Sequence, residues 1–412
     1  MTEAKKEFQR TEIGLIPSDW SFEEIGPKID LLSGNPFSSS GYSDHGIRLL
    51  RGANIKRGNT QWDDDNTKFW PENDPSLKKY KLKPDDLVIA MDGSLVGRSY
   101  AFLSIHDVPS LLLQRVARIR SDKIDTKYLK YFIGSSWFVD YCDSVKTNTA
   151  IPHISSTDIK NFKIPLPPTL EEQQAIASAL GDVDELIRSL DGLIQKKQAI
   201  KKGTMQQLLT PNKSGQASKK RLPGFDGEWE VKTLGDVTDI IMGSSPSSSN
   251  YNTEGNGLPL IGGNADIKNR KTIKRVWTTQ ITKTCDVGDV IMTVRAPVGT
   301  VGISTDEACL GRGVCALKAS NLDRSFLYHQ MIYSEPKWKV LEQGSTFTSA
   351  NSNQIEGFEL VLPPTKEEQK AIAQILSDMD RELQTLRQKR EKYVQIKQGM
   401  MQELLTGRTR LV

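Results

Sequence analysis

Apolar residues recur at steps of four and three along two stretches of this 412-residue chain. In the first they are Ile176, Leu180, Val183, Ile187, Leu190 and Ile194. In the second they are Ile372, Leu376, Met379, Leu383, Leu386 and, past Arg390, Tyr393. A repeat of about 3.5 residues is the seam of a coiled coil, in which each helix covers the narrow apolar stripe of another. The phase then drifts toward Ile200, Leu208 and Leu209, and toward Ile396, Leu404 and Leu405, as a stutter would. Thr169 with Glu172, and Thr365 with Glu368, follow Pro-Pro pairs and read as capping boxes, while Thr210-Pro211 and Thr406-Gly407 read as stops. The pattern predicts two helices of about 40 residues, each roughly 60 Å long. The obvious partner of each is the other, as an intramolecular antiparallel pair. Packing on its own globular unit, or on another chain, would also cover the stripe.

The two stretches are copies. Residues 166–210 and 362–406 align without a gap at an offset of 196, with 23 of 45 positions identical. A period this long is no solenoid repeat. The expected organisation is a globular unit over 1–165, a long helix over 166–210, a polar linker over 211–221, a second globular unit over 222–361 and a second long helix over 362–412. The globular units are rich in short β-type runs that echo one another. Asp86–Met91 matches Asp289–Val294, each after a turn. Trp20, Gly26 and Gly34 match Trp229, Gly235 and Gly243, and Leu50–Ile55 matches Ile261–Ile267. A short helix is expected around Thr126–Cys142 and again around Asp323–Leu341. The helices have diverged little and the globular units much more, so the helices share one task and the units share a fold with different targets.

Composition narrows the class. The hydrophobic fraction of 37% suffices for real cores. No apolar run reaches the roughly 18 residues of a membrane span, and the N-terminus lacks a signal-type stretch, so a cytoplasmic protein without a membrane partner is expected. Cys142, Cys285, Cys309 and Cys315 form no CxxC pair and read as buried free thiols rather than a metal site. The net charge of +4 resolves into +1 over 1–165, +3 over 166–221, −3 over 222–361 and +3 over 362–412. Bulk charge therefore announces no nucleic-acid binder, and local clusters must carry that reading. A phosphate loop, an HExxH helix and a GxSxG elbow are all missing. The four histidines have no evident catalytic companions, and a non-catalytic chain is expected.

Two clusters stand out. Residues 48–57 carry Arg48, Arg51, Asn54, Lys56 and Arg57 without an acid, near Trp62. Residues 268–275 carry Lys268, Asn269, Arg270, Lys271, Lys274 and Arg275, followed by Trp277. Basic side chains with Asn and an aromatic suit phosphate positioning and groove contact; solvated loops or strand edges are the plain alternative. A second pair of segments precedes each Pro-Pro. Lys146, Asn148 and His153 lie in the first, and Thr346, Thr348, Asn351 and Asn353 in the second; such donors hold phosphates or read base edges, or simply build loops. Arg98, Gln114-Arg115, Arg295 and Arg312 are further candidates, although arginines that follow strands are also common in structural salt bridges.

These residues resemble a known family. Ile164-Pro-Leu-Pro-Pro168 with Glu172-Gln173 and Ala175-Ile176-Ala177, repeated as Leu360-Val-Leu-Pro-Pro364 with Glu368-Gln369 and Ala371-Ile372-Ala373, is similar to the type I restriction–modification specificity subunits. The resemblance covers the whole chain. It implies an α/β (α+β) fold with two target recognition domains, each followed by a long helix, and a pseudo-twofold internal repeat whose helices pair antiparallel. It implies a partner duplex with a split recognition site, one half per domain. Two domains on one rigid helix pair should then meet the same face of that duplex, with half-site centres about 34–36 Å apart. Two modification subunits would dock on the helices and bring S-adenosylmethionine, and restriction/motor subunits would bring ATP and Mg. The chain itself would hold no cofactor. One departure is Asp92-Gly-Ser94 where the second domain has Arg295-Ala-Pro297, so the domains should read different half-sites. A specificity subunit serving another defence system, or a coiled-coil scaffold for proteins, are the competing readings.

Overall fold

The computed structural model describes residues 7–71, 74–210, 221–344 and 349–411. The expected linker, apart from Arg221, and the candidates Thr346 and Thr348 lie outside the described residues. The chain divides into two compact units, Met1–Ser189 with Arg390–Val412, and Leu190–Lys389. The long helices span Leu170–Leu208 and Lys366–Leu404, so each unit contains part of both.

The first unit is built on a five-stranded sheet ordered Asp30–Ser33, Val116–Arg120, Leu87–Ala90, Tyr100–Phe102, Arg57–Gly58. All four residues of Leu87–Ala90 are buried, which is why that run reads as continuously apolar rather than alternating. Its entry is fixed by Asp85, at φ 67°, and by the buried Asp86 carboxylate. Asp86 accepts the Lys83 amide at 2.8 Å and pairs with Arg120 at 2.5 Å. A three-stranded sheet sets Ile47–Leu50 between Ser110–Leu112, in parallel, and Lys68–Trp70.

The second unit repeats this plan. Its main sheet runs Thr238–Met242, Val314–Ala319, Val290–Thr293, Val301–Ile303, Lys271–Thr272, with Ile267–Lys268 as one further edge strand. Leu258–Ile261 again pairs in parallel with a later strand, Ala308–Leu310. The paired runs expected at Asp86–Met91 and Asp289–Val294 are thus the same strand in both units. The helix expected over Thr126–Cys142 is two helices, Thr126–Ile133 and Ser136–Val145. The break falls at Gly134, which packs so tightly on the Tyr100 hydroxyl that a Cβ would lie 2.2 Å from it. In the second unit one helix, Arg324–Gly344, continues through Pro336.

The long helices belong to these cores as much as to each other. Ile176 and Leu180 pack in the first unit's core with Trp20, Tyr128, Phe132 and, from the end of the other long helix, Leu404 and Leu405. Ile372 and Leu376 pack in the second with Trp229, Phe326, Trp338, Met205, Leu208 and Leu209. The first two seam positions of each helix therefore serve a globular core together with the end of the other long helix. Leu190, Ile194 and Leu383 are buried beyond them, and Val183, Ile187, Met379, Leu386 and Tyr393 are half-buried. Ile200 and Ile396, where the phase drifts, are 44% and 39% exposed. Inter-helix ion pairs run antiparallel inside the second unit, with Lys197 on Glu382 at 2.7 Å and Lys201 on Asp380 at 2.5 Å. Lys397 meets Asp184 at 2.6 Å in the first.

The helix starts depart from a closed capping box. Thr169 and Thr365 accept the amides of Glu172 and Glu368 at 3.2 and 3.3 Å, as expected. The buried Glu172 carboxylate, however, takes Arg410 at 2.7 Å, and that of Glu368 takes Arg221 at 2.7 Å. The neighbouring glutamines fasten the globular part. Gln173 accepts the Asp125 amide at 2.9 Å, and Gln369 accepts that of Asp323 at 2.9 Å. Their amide nitrogens donate to Pro167 and Pro363. The repeated Pro-Pro…Glu-Gln string is therefore a junction that locks helix to unit. All four cysteines are buried and free. No described helix is long and apolar enough to cross a membrane.

Candidate nucleic-acid interface

In each unit the loops at one end of the main sheet gather the exposed candidates. In the first unit, the turn after Ile47–Leu50, the loop after Leu87–Ala90 and the loop before Val116–Arg120 enclose a concavity of about 530 Å³. Arg51, Lys56, Asp92, Gln114 and Arg115 line it. Arg115 is exposed at φ 68°, a conformation forced by the tight return from Leu112 into Val116. The segment Thr147–His153 is tied to the loop after Leu87–Ala90 by the Gly93 amide donating to Pro152 at 3.0 Å and by a bridge between Asp92 and His153. The His153 imidazole Nδ1 lies 2.9 Å from the Thr147 hydroxyl, closing that loop on itself, while Asn148 is left exposed.

Several sequence candidates have other work. Asn54 is fully buried; its amide oxygen accepts the Arg51 amide at 3.1 Å and its nitrogen donates to Gln61 at 3.1 Å. It shapes the basic turn from inside and has no surface to offer a ligand. Arg48 lies 4.6 Å over the Trp62 ring and donates to the His106 carbonyl at 2.7 Å. Arg98 is bidentate to Asp143, and Lys146 meets the same carboxylate at 2.6 Å. Those two cations hold the Asp143 carboxyl down at about 2. Lys56 and Arg57 remain exposed, although Lys56 Nζ folds back on the Ala53 carbonyl at 2.9 Å. Sequence reasoning missed Asp107. Burial alone would raise its carboxyl, but hydrogen bonds from Thr60, Ser104 and Trp62 outweigh that and hold it below the ordinary value. It ties Thr60 and Trp62, just past the basic turn, to Ser104. Its only sequence signal was Ser104, three residues before, in a one-turn cap.

The second cluster is a two-residue hairpin. Asn269 and Arg270, at φ 50° and 66°, turn the chain between the edge strands Ile267–Lys268 and Lys271–Thr272. Both central residues in the left-handed region is the turn geometry that suits strand twist. Lys268, Asn269 and Lys271 are exposed. Arg270 instead folds inward on Glu335, with a second contact at 3.0 Å, and donates to the Val301 carbonyl at 3.1 Å. Lys274 pairs with Asp306 at 2.7 Å and Arg275 with Asp266 at 3.4 Å. Asn351 caps the short helix Ser352–Glu356 by accepting the Gln354 amide at 3.0 Å, which explains it without a ligand. Asn353 sits elsewhere, in a hollow lined by Asp236, Asp239 and Glu356, whose charge is wrong for phosphate. Arg295 and Arg312 are exposed at the sheet end that matches the first unit's concavity. There the backbone is crowded. A Cβ on Gly313 would lie 2.2 Å from the Gly262 carbonyl, and one on Gly243 2.2 Å from that of Gly311. Glycines at those points let three loops meet.

Each unit thus offers one cation-bearing sheet end made by matching loops, concave in the first. Among the described residues no cluster could hold a metal ion.

The profile described as the type I restriction modification DNA specificity domain matches residues 53–201 and 226–395. A protein of Methanocaldococcus jannaschii designated the MjaX specificity subunit of a type I restriction enzyme is 31% identical over 99% of this chain and 97% of its own length. The Escherichia coli EcoAI specificity subunit is 32% identical over 43% of this chain and 30% of its own. Among solved structures, the type I restriction–modification S subunit from M. genitalium superposes with a TM-score of 0.64 at 15% identity, covering 93% of this chain and 96% of that one. A chain from a structure describing assembly of the type I R-M system gives 0.59 at 22% identity, covering 95% and 98%. These likenesses support the fold.

Proposed function

This chain belongs to the type I restriction–modification DNA specificity family, and from that premise we propose that each of its units reads one half of a split duplex sequence. The chain is the DNA-recognition subunit and carries no catalysis of its own. The observation that carries the two-part reading is the repetition of one sheet end with different side chains on it. Arg51, Lys56 and Arg115 stand on the first, with Arg295, Arg312 and the Lys268–Lys271 hairpin on the second. Exposed lysines and arginines neutralise phosphates and fix register, while the varied groups among them meet base edges. Two modification subunits would dock along the long helices and supply S-adenosylmethionine and adenine methylation. Restriction/motor subunits would add ATP- and Mg-dependent translocation and cleavage. The assembly would work in the cytoplasm, where the chromosome is.

Salt separates a DNA reader from a protein scaffold. Binding of the modification complex to duplexes selected from a random pool should weaken by about a hundred-fold or more between 50 and 200 mM salt, as expected for four or more released counterions. Selection that recovers no common sequence, or binding indifferent to salt, would contradict the proposal.

A further inference from the structure

The two units carry opposite charges at one matched position, and we infer that this pair reads base edges in the major groove, Asp92 a cytosine through its N4 amine and Arg295 a guanine through O6 and N7. The inference rests on the reading of each unit as a DNA reader and deepens it to individual residues.

The match is structural. Asp92 lies two residues past Leu87–Ala90, and Arg295 two residues past Val290–Thr293. The residue before each makes the same backbone bonds. Met91 donates to Arg115 at 2.8 Å and accepts from Ile154 at 2.9 Å; Val294 donates to Gly313 at 2.9 Å and accepts from Ala350 at 2.8 Å. Asp92 itself bridges His153, and Arg295 bridges Ser349. One backbone frame therefore holds both side chains, at the end of a fully buried strand, and the side chain is what differs.

Asp92 needs an explanation. It shares its concavity with Arg51, Lys56 and Arg115, yet it forms no ion pair or side-chain hydrogen bond among the described residues. A carboxylate there repels the phosphates that the three cations attract. It is compatible with DNA only if it meets a hydrogen-bond donor, and the donors a duplex offers in the major groove are the exocyclic amines of cytosine and adenine. Of the two, cytosine N4 is the usual mate of a carboxylate, since adenine also presents an acceptor, N7, beside its amine. Arg295 is exposed and likewise without a side-chain partner among the described residues. Its fork fits the paired acceptors of guanine. The neighbouring position differs in the same sense: two residues before Val116 stands Gln114, and two before Val314 stands Arg312, both exposed.

The test is selection from duplexes randomised over both half-sites, using the complex of this chain with its modification partners. Wild type should select a split site with a G·C pair under each of the two residues. Asp92→Asn should lose discrimination about ten- to a hundred-fold at one base pair of one half and leave the other half untouched; Arg295→Gln should do the reverse. The unaffected half reports that the variant folds and assembles, and Asp92→Ser should give the same single-position loss. Variants that keep the wild-type preference at every position, or that weaken binding evenly across all sequences, would overturn the inference while leaving the chain a DNA reader. A wild-type complex that selects no split site would overturn the reading beneath it.

Discussion

Arg410 shows how much one side chain holds. It lies 22% exposed over the Trp20 ring, paired with Asp19 at 3.0 Å and with the buried Glu172. Arg221 does the same for Glu368 in the second unit. Removing one partner of such a pair strands a buried charge, which costs several kcal/mol, whereas removing both costs far less. Arg410→Ala should therefore lower the first unit's denaturation midpoint by the equivalent of about 3 kcal/mol, and adding Glu172→Gln should recover most of it. A second matched pair differs in kind. The Tyr131 hydroxyl donates to Asp184 at 2.9 Å in the first unit; in the second, His329 faces Asp380, Ser377 and Lys201. Burial, then the Lys201 cation, pushes the His329 imidazole down to about 4, against the opposing pull of Asp380 and Asp323. The unfolded chain thus binds the extra proton between about pH 6.5 and 4, so this contribution is present above 6.5 and is lost as pH falls toward 4. Hydrogen-exchange protection in the Arg324–Gly344 helix, corrected for the intrinsic rate, should fall as pH drops through that window, and His329→Tyr, copying the first unit, should flatten the dependence. At this scale the sequence marked which loops are rich in cations but not which of those residues were free. Arg98, Arg270 and Lys274 look identical to Arg295 in a string of letters, yet their carboxylate partners lie 45, 65 and 32 positions away.

At the scale of elements, the helices were legible because a seven-residue apolar repeat, caps and stops all agree over some 40 positions. What stayed hidden was their division of labour, since a stripe does not say whether a globular core or a second helix covers it. The units were only partly legible. Their strands are two to six residues long, too short for periodicity, and the parallel pairing of Ile47–Leu50 with Ser110–Leu112 joins segments some 60 residues apart. The buried runs at Leu87 and Val290 could be read because they are apolar throughout. If the helices set the spacer of the DNA site, one extra heptad after Gly192 and another after Gln388 should lengthen each helix by about 10.5 Å. At about 3.4 Å per base pair the spacer should widen by about three base pairs with both half-sites unchanged. Sequencing the sites protected by the complex would read this directly, and an unaltered spacer would refute the ruler.

For the whole molecule, duplication explains both what is kept and what has changed. The Pro-Pro…Glu-Gln junction, the Asp184–Lys397 and Asp380–Lys201 pairs and the strand order are common to both units because one fold demands them. On the proposed reading, the sheet-end side chains would differ because each unit meets its own half of the site. A +4 chain with a −3 segment can still serve DNA, since only one end of each sheet need face the duplex. The most direct measurement is a map of methylated adenines in cells supplied with this chain and its modification partners. The account predicts one split motif, absent without the chain, whose two halves change independently when residues 1–165 or 222–361 are exchanged for those of another family member. Methylation at a single undivided motif, or a pattern that does not depend on this chain, would contradict it.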